Sequence, residues 1–345
     1  MSVNGALPTP DNVLVDVRTL RKYYPIERGF LNATVGYVRA VDDVSLAIRM
    51  GETLGLVGES GCGKSTLGRC ILRGIEPTAG EVRFRTRDGA VVDLITLDKT
   101  RLRAMRRDMQ MVFQDPNSSM DPRMTVLDII SEPIWANGLL PRKALIERAR
   151  ELASLVGLRA EHLNRYPHAF SGGQRQRIGI ARALATDPRF IVADEPVSAL
   201  DVSIQAQILN LLQDLQRRLH LTYLFVAHDL SVVQHVSDRV AVMYVGRIVE
   251  LADTDALFLN PCHPYTEALL AAVPKPRQNR TTRRAVLRGE VANPANLPPG
   301  CPFHPRCAYA KDICRVERPP LAEVTTGHFA ACHFAQELDL EGVAV

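Results

Sequence analysis

One segment dominates the sequence, and it reads Gly58-Glu59-Ser60-Gly61-Cys62-Gly63-Lys64-Ser65-Thr66. An apolar run precedes it and a stretch of helical composition follows it, at residues 53–57 and 67–72. The spacing G-x-x-x-x-G-K-S between a strand and a helix is that of a phosphate-binding loop. Glycines let the backbone curl around a polyphosphate with its N–H groups aimed inward, and the helix N-terminus adds a positive dipole end. We expect Lys64 to reach the β and γ phosphates and the Ser65 hydroxyl to help hold Mg²⁺.

The composition is that of an ordinary globular protein. The chain has 345 residues, of which 46% are hydrophobic and 23% charged, and it is long enough for two cores. Its formal net charge of +4 is mild and does not by itself indicate nucleic acid as a partner. Apolar runs stay below the ~18–20 residues that a bilayer span needs, and residues 1–11 lack a secretory pattern. We therefore expect a cytosolic protein whose seven cysteines do not form disulfides.

The apolar pattern predicts an α/β fold with two kinds of sheet. Residues 13–20 alternate as a strand, an irregular insertion follows through Gly36, and residues 38–48 form a second strand, which together predict an antiparallel β layer. Further along the chain, apolar strands alternate with helices, which is typical of a mainly parallel sheet buried on both faces. These strands are residues 53–57, 109–113, 190–193 and 224–227.

This pattern divides the chain into three predicted parts. Residues 1–12 are expected to be a loose tail, and residues 13–259 a nucleotide-binding domain with a helical subdomain at about 115–185. From residue 260 onward prolines become frequent, and we predict a separate, loop-rich C-terminal extension over 260–345. A basic run over residues 275–284 is expected to be solvated, with contact to anionic lipid as the alternative.

Polar side chains follow two of the apolar strands. Asp194 and Glu195 end the strand at 190–193, and an acid at the carboxyl end of a parallel strand faces the ligand crevice. Asp194 there can hold Mg²⁺, and Glu195 can take a proton from an attacking water. His228 follows the strand at 224–227, where it could contact a γ-phosphate. The alternatives are two ordinary surface acids and a structural histidine.

A second helix start also has the composition of an anion site. Ser171, Gly172, Gly173 and Gln174 combine a hydroxyl and two glycines at a helix N-terminus, with Ser171 as the expected N-cap. The alternative is a plain capped helix. Two phosphate-binding helix starts in one chain are too far apart to share one nucleotide, so we expect the second to serve the nucleotide of a partner.

Together these segments resemble the ATP-binding subunits of ABC transporters. The phosphate loop, a glutamine loop at Gln114, the signature segment from Ser171, the acidic strand end, the D-loop at residues 198–201 and the switch histidine occur in the family order. The resemblance covers residue 13 to about residue 255 and implies an ABC-type nucleotide-binding domain in which two subunits meet head to tail over ATP. It implies that Asp201 belongs to the shared ATP site.

The resemblance also assigns roles to single residues. Glu195 is implied as the catalytic base, Asp194 as a Mg²⁺ ligand, and Gln114 as a contact to Mg²⁺ and water that senses the transmembrane partner. His228 is implied at the γ-phosphate. Tyr24 aligns with the aromatic residue that stacks on adenine, with Tyr23 as the competing choice and packing on the β layer as the alternative for both.

Two further segments narrow the resemblance to dipeptide and oligopeptide importers. Residues 114–123 are similar to their glutamine loop and residues 260–270 to the start of their C-terminal extension, while the insertion at 25–38 favours the F-type subunit. This implies ATP hydrolysis that powers peptide uptake at the cytoplasmic face of the membrane. The implied partners are a related D-type ATPase subunit, two transmembrane permease subunits and, indirectly, an extracytoplasmic solute-binding protein, without nucleic acid. Import of nickel, glutathione or another solute, a non-transport ABC ATPase and a kinase are the alternatives.

Four of the cysteines, Cys301, Cys307, Cys314 and Cys332, lie within the proline-rich extension. A small loop-rich unit buries little apolar surface, so a covalent or metal staple is expected. Disulfides conflict with a cytosolic chain, and structural zinc usually takes closer ligand pairs, whereas an iron–sulfur cluster tolerates wider spacing. Some importer ATPases of the resembled family carry a 4Fe–4S cluster on such cysteines, which favours that hypothesis over zinc. The nearby histidines, as ligands or supporting donors, are His304, His328 and His333.

Overall fold

The structure is a computed structural model and describes residues 10–29, 33–116, 118–272 and 289–343. The basic run at 275–284 lies outside the described residues. Numbered along the chain, the strands are β1 (Val13–Arg28), β2 (Ala33–Arg49), β3 (Thr53–Val57), β4 (Ala79–Arg85), β5 (Val91–Asp93), β6 (Met109–Val112), β7 (Phe190–Asp194), β8 (Thr222–Val226), β9 (Arg239–Tyr244), β10 (Arg247–Asp253), β11 (Ala322–Thr325) and β12 (His328–Ala330). The α-helices are α1 (Lys64–Ile71), α2 (Lys99–Met105), α3 (Val126–Ala136), α4 (Arg142–Leu155), α5 (Gly172–Ala183), α6 (Val202–Leu219), α7 (Leu230–Val236), α8 (Thr254–Leu259), α9 (Pro264–Ala271) and α10 (Ile313–Val316).

The central sheet places the phosphate loop and the acidic strand end along one edge. In the described part of the chain its strand order is β11-β12-β10-β9-β3-β8-β7-β6. Strands β3, β7 and β8 pair in parallel, and every residue in them is buried, as expected for continuous apolar strands covered on both faces. Because the carboxyl ends of parallel strands meet at the same edge, the residues after β3, β7 and β8 converge there.

The predicted antiparallel layer is present, with strand order β2-β1-β4-β5. The irregular insertion expected through Gly36 is wrong, because β1 continues to Arg28 and pairs there with Ala33 at the start of β2. Most side chains of this extension are exposed or half-buried, so its strands lack the apolar alternation that marked residues 13–20. Backbone hydrogen bonding, which leaves no trace in hydropathy, sustains the longer hairpin.

The helical subdomain follows the sequence pattern closely. Helix α3 begins with a capping box between Thr125 and Asp128, and α4 and α5 pack against it. Their buried side chains, among them Ile130 in α3 and Leu152 in α4, join the same apolar core as the central sheet. The connection between α3 and α4 contains Gly138 in the left-handed region, at φ +63°.

The C-terminal extension is not a separate appendage, which corrects the expectation from its proline content. Strand β12 pairs antiparallel with β10, so that Ala330 lies opposite Glu250, and β11 adds the edge of the sheet. Phe303 of the extension packs edge-on against Tyr244 of β9, with ring centroids 5.3 Å apart. The extension therefore shares both a sheet and an aromatic core with the ATPase domain.

Candidate functional site

The phosphate loop has the backbone that its glycines predict. Gly58 has φ +151° and Gly63 has φ +106°, and a Cβ on either residue would meet a backbone carbonyl oxygen, that of Met243 or of Ala40 respectively. Gly63 precedes α1, so the loop ends at a helix N-terminus. The Lys64 ammonium, 5% exposed, donates to the carbonyl oxygens of Gly58 at 2.7 Å and Glu59 at 3.0 Å. The loop thus surrounds the Lys64 side chain at the carboxyl end of β3.

Ser65 and Asp194, each expected to hold Mg²⁺, are hydrogen-bonded to each other. The Ser65 hydroxyl donates to Oδ1 of Asp194 at 2.7 Å, and the Arg69 guanidinium lies 3.8 Å from the same carboxylate. Burial raises the pKa of Asp194, and the hydrogen bond from Ser65 and the charge of Arg69 offset only part of that rise. A hydroxyl and a carboxylate beside a phosphate loop are oxygen donors of the kind that Mg²⁺ prefers, so these residues fit that ion.

The three side chains expected at the reacting phosphate converge on one oxygen atom. Oε2 of Glu195 accepts a hydrogen bond from Nε2 of Gln114 at 2.9 Å and lies 3.1 Å from Nδ1 of His228. Glu195 has φ +46°, a rare conformation for a residue with a side chain, and its N–H donates to the carbonyl of Val226 at 2.9 Å. The strained turn at the end of β7 therefore aims the carboxylate at His228 and Gln114.

The signature segment forms a capped helix start. Ser171 Oγ accepts from the N–H of Gln174, and the Gln174 side chain accepts from the N–H of Ser171, which completes a capping box. A Cβ at Gly173 would meet the side chain of Ile204 in α6, so α5 and α6 approach closely here. Asp201 caps α6 by accepting from the N–H of Ile204 at 3.0 Å. In the isolated chain Ser171 is exposed, with its side chain at the tip of α5.

The two tyrosines of β1 have different surroundings. The Tyr23 hydroxyl bonds Asp42 at 2.5 Å, and the Arg39 guanidinium lies over its ring. The Tyr24 side chain is 37% exposed and carries the Lys22 ammonium 4.8 Å from its ring centroid. Tyr24 is therefore an exposed ring with a cation beside it, and Tyr23 is held by the β layer.

The four cysteines of the extension line one small cavity. Burial raises the pKa of Cys307 and of Cys332 to about 11, and their neighbouring thiols add to the rise. No three of these four sulfurs lie within 4.8 Å of one another in the part of the chain that the structure describes. Each trio of these sulfurs therefore contains at least one pair farther apart than the roughly 4 Å expected around one tetrahedral zinc ion with Zn–S bonds of about 2.3 Å.

The histidines near this cavity divide into two groups. His304 and His333 line the cavity as expected, and so does His263, which the sequence did not indicate. Burial lowers the pKa of His263 to about 3, so its ring is neutral. His328 instead directs Nε2 at Glu250, 2.7 Å away, and is not at the cavity wall.

Glu250 is the centre of a second buried polar cluster that sequence reasoning missed. Its carboxylate accepts from the N–H groups of Cys262 at 2.6 Å and His263 at 3.1 Å, and it faces the ring of His328. Burial would lower the pKa of His328, but hydrogen bonds to Cys262 and Glu250 and the carboxylate charge raise it to about 9. The cluster is therefore an ion pair that joins β10 to β12.

The contact between Arg306 and Glu59 was also missed. The guanidinium of Arg306, between Cys301 and Cys307 in the extension, donates to both carboxylate oxygens of Glu59 in the phosphate loop, at 2.6 and 3.0 Å. A long-range pair of this kind has no local signature in the sequence.

Among the described residues, no helix is long and apolar enough to span a membrane.

Comparison with known proteins agrees with this geometry. The ABC transporter family matches residues 41–198, and the oligopeptide/dipeptide transporter C-terminal region matches residues 249–314. The oligopeptide transport ATP-binding protein AppF of Bacillus subtilis is 50% identical over 323 residues, which cover 93% of this chain and 97% of AppF. A probable peptide ABC transporter ATP-binding protein of Sinorhizobium fredii is 54% identical over 322 residues, which cover 93% of this chain and 90% of that protein.

A solved structure is similar as well. The ATP-binding cassette MJ0796, in a dimeric post-hydrolysis state bound to ADP and Pi, superposes with a TM-score of 0.60 at 30% identity, covering 70% of this chain and 99% of that cassette. The phosphate loop, the acidic end of β7 and the C-terminal region occur here in one chain, and relatives that share half of its residues match over almost its full length. The chain therefore belongs to the ATP-binding subunits of ABC transporters, in the group that carries the oligopeptide/dipeptide transporter C-terminal region.

Proposed function

We propose that this chain hydrolyses ATP to power the uptake of dipeptides or oligopeptides across the cytoplasmic membrane. The observation that carries the ATPase part is the convergence of Gln114 and His228 on one oxygen of Glu195, beside the Ser65–Asp194 pair. The peptide part is supported by the C-terminal region that the chain shares with oligopeptide/dipeptide transporters and by the relatives described as peptide transport ATP-binding proteins.

The proposed chemistry is attack of water on the γ-phosphate of ATP. Glu195 accepts the proton of that water, which Gln114 orients, and His228 donates to the γ-phosphate oxygens where negative charge accumulates. Lys64 turns from the Gly58 and Glu59 carbonyls toward the β and γ phosphates. Ser65, Asp194 and Gln114 would hold Mg²⁺, which neutralises phosphate charge when bound. Tyr24 stacks on adenine with its exposed ring face.

The ATP site is proposed to be completed by a second ATP-binding subunit, which we take to be a related D-type chain. Ser171 lies at an exposed helix tip with N–H groups available to phosphate, and Gly173 and Asp201 lie close by, where α5 meets α6. Each signature segment closes over the nucleotide of the other subunit. Binding of ATP closes the pair, and hydrolysis reopens it.

A groove on the helical subdomain is the proposed docking place for a permease subunit. It has a volume of about 440 Å³ and lies between β6, α3 and α5, next to the glutamine loop. Glu132 and Arg182 form an ion pair of 2.8 Å at the groove, and the buried Nε2 of Gln176 has no hydrogen-bond partner among the described residues. One permease subunit docked in this groove and a second on the partner ATP-binding subunit, supplied with peptide by an extracytoplasmic solute-binding protein, would hold this chain at the cytoplasmic face of the membrane.

The cysteine cavity is proposed to hold a 4Fe–4S cluster. Four thiols that line one cavity supply the ligand set that such a cluster takes, and the absence of three sulfurs mutually within 4.8 Å in the described part of the chain favours a cluster over a single zinc ion. Cluster binding would have to displace the protons of these thiols, whose pKa is raised by burial. The cluster would staple the loops of the extension, and no step of ATP hydrolysis passes through it.

Uptake of a labelled tripeptide by cells that express the assembled transporter tests this function. We expect uptake with the native chain and none with Glu195→Gln, while labelled nickel and glutathione are not taken up by either. Tripeptide uptake that persists at the native rate in the variant would contradict the proposed ATPase role. Transport of nickel or glutathione in place of the peptide would contradict the proposed solute.

A further inference from the structure

The C-terminal extension makes direct contact with the phosphate loop. Arg306 donates through Nη1 and Nη2 to the two carboxylate oxygens of Glu59, at 2.6 and 3.0 Å. The Arg306 side chain is only 5% exposed and that of Glu59 25% exposed. Two parallel charge-assisted hydrogen bonds shielded from water hold both the position and the direction of the Glu59 side chain. The pair thus ties one residue of the loop to the extension.

A second bond from the C-terminal region fixes the backbone of the same residue. The Tyr265 hydroxyl oxygen accepts from the N–H of Glu59 at 2.8 Å. Tyr265 is fully buried and packs against Tyr244 and Phe303, with ring centroids 4.7 and 5.4 Å away. Because these rings also support the guanidinium of Arg306, which lies about 6 Å from two of them, both contacts to Glu59 come from one rigid aromatic cluster.

The consequence reaches the phosphate-binding lysine. The carbonyl oxygen of Glu59 is one of the two acceptors that hold Lys64 Nζ. The N–H of Glu59 shares a peptide group with the Gly58 carbonyl, the other acceptor of Lys64, so that group cannot turn without breaking the bond to Tyr265, while Arg306 holds the Glu59 carboxylate. The N-terminal half of the loop is therefore held by the extension, including when Lys64 turns from these carbonyls to the phosphates.

We propose that Arg306 is a positioning residue for ATP binding, by which the C-terminal extension holds the phosphate loop ready for the triphosphate. Its guanidinium also neutralises the one carboxylate within the loop. Loss of that charge leaves the Glu59 carboxylate unpaired beside the phosphates, where like charges repel. The inference rests on the phosphate loop binding ATP, as proposed above, and is independent of the transported solute.

The test is equilibrium binding of a fluorescent ATP analogue with Mg²⁺ to the purified full chain, together with KM and kcat for ATP of this chain assembled with its partner ATP-binding subunit. Arg306→Met keeps the packing on Phe303 and Tyr244 and removes the two hydrogen bonds to Glu59, together with the hydrogen bond to Tyr244. We expect ATP binding to weaken about tenfold, which corresponds to the loss of one charge-assisted interaction. KM should rise by the same factor, with kcat within about twofold of the native value. Arg306→Lys, which keeps the charge, should recover part of the affinity.

The partner of Arg306 is tested by repeating the substitution in a Glu59→Gln background. If Arg306 acts through the Glu59 carboxylate, Arg306→Met there should weaken binding by much less than in the native background. An equal loss in both backgrounds, an unchanged affinity, or a loss of kcat with KM unchanged would overturn the inference. Arg315→Ala, an exposed arginine of the same extension, is the control and should bind ATP like the native chain.

The same measurements separate this inference from the proposed function. Failure of the native chain to bind the ATP analogue would overturn both. Native binding with an equally tight Arg306→Met variant would overturn only the role of Arg306. If Arg306→Met does not fold, which thermal unfolding reports, Arg306→Lys carries the test, and its affinity must then fall below that of the native chain and of Arg315→Ala.

Discussion

Oε2 of Glu195 lies 3.1 Å from Nδ1 of His228 and accepts a hydrogen bond from Nε2 of Gln114 at 2.9 Å, so three side chains from separate loops share one oxygen atom. The carboxylate is 15% exposed and the imidazole 55% exposed, which leaves the histidine reachable from solvent. A base that is held by two neighbours and open on one side can receive the proton of a water beside it.

Substitution of Glu195 by Gln should remove that base and preserve the shape of the site. We expect ATP hydrolysis to fall by about 10²–10⁴-fold, the usual contribution of general base catalysis, while ATP binding is retained and a closed dimer accumulates. Phosphate release and size-exclusion chromatography with ATP measure the two effects. Glu147→Gln, on the exposed face of α4, is the control. Normal turnover in Glu195→Gln would show that another group accepts the proton.

Gly63 should be intolerant of any side chain. Alanine there would have to adopt φ +106° and place its Cβ on the carbonyl oxygen of Ala40. We expect ATP binding to fall more than tenfold and stability to fall by about 1–2 kcal/mol from the left-handed backbone alone. Gly89→Ala is a matched control, because Gly89 also has positive φ, at +87°, but has open space around its Cβ position. Equal losses of ATP binding in the two variants would rule out the steric explanation.

The sequence predicted those parts of the molecule that depend on interactions between residues close together in the chain. The phosphate loop, the cap at Ser171 and the acidic end of β7 depend on residues a few positions apart, and the structure contains all three. The continuation of β1 to Arg28 was missed, because an exposed hairpin carries no apolar alternation. Its strands are held by backbone pairing, which depends little on side-chain type.

Contacts between distant segments account for the rest. Arg306 and Glu59 are separated by 247 positions. The strands β10 and β12 pair with each other although a long proline-rich stretch separates them in the sequence. The sequence located the four cysteines but predicted neither the Arg306 contact nor the His328–Glu250 pair. Such pairs depend on how the chain closes on itself, and a single sequence does not record that.

The His328–Glu250 pair should make stability depend on pH. The pKa of His328 is raised to about 9 in the folded chain, above the value of 6.5 expected when unfolded, so its stabilising contribution is complete below pH 6.5 and is lost as pH rises through 9. The His328→Gln variant should therefore be less stable than the native chain by on the order of 2 kcal/mol at pH 6, and the two should be nearly equally stable at pH 9.5. Urea unfolding at a series of pH values measures this difference.

The control for that experiment is His168→Gln, an exposed histidine of the helical subdomain. Its stability difference from the native chain should not change over the same pH range. A His328→Gln difference that is also constant with pH would mean that His328 is neutral in the folded chain. The titratable groups that face His328 are the carboxylate of Glu250 and the thiol of Cys262, and Cys332 lies near Glu250.

The cysteine cavity gives the last prediction. Purified without exposure to air, the native chain should be brown and contain about four iron atoms per molecule, as a 4Fe–4S cluster requires. Cys314→Ser should lose most of the iron, because its side chain lines the cavity, whereas Cys262→Ser, whose sulfur lies 3.9 Å from His328 instead, should keep it. Metal analysis and the visible absorption spectrum measure both variants. A colourless native protein with stoichiometric zinc would instead mean that the four thiols bind one zinc ion and would contradict the proposed cluster.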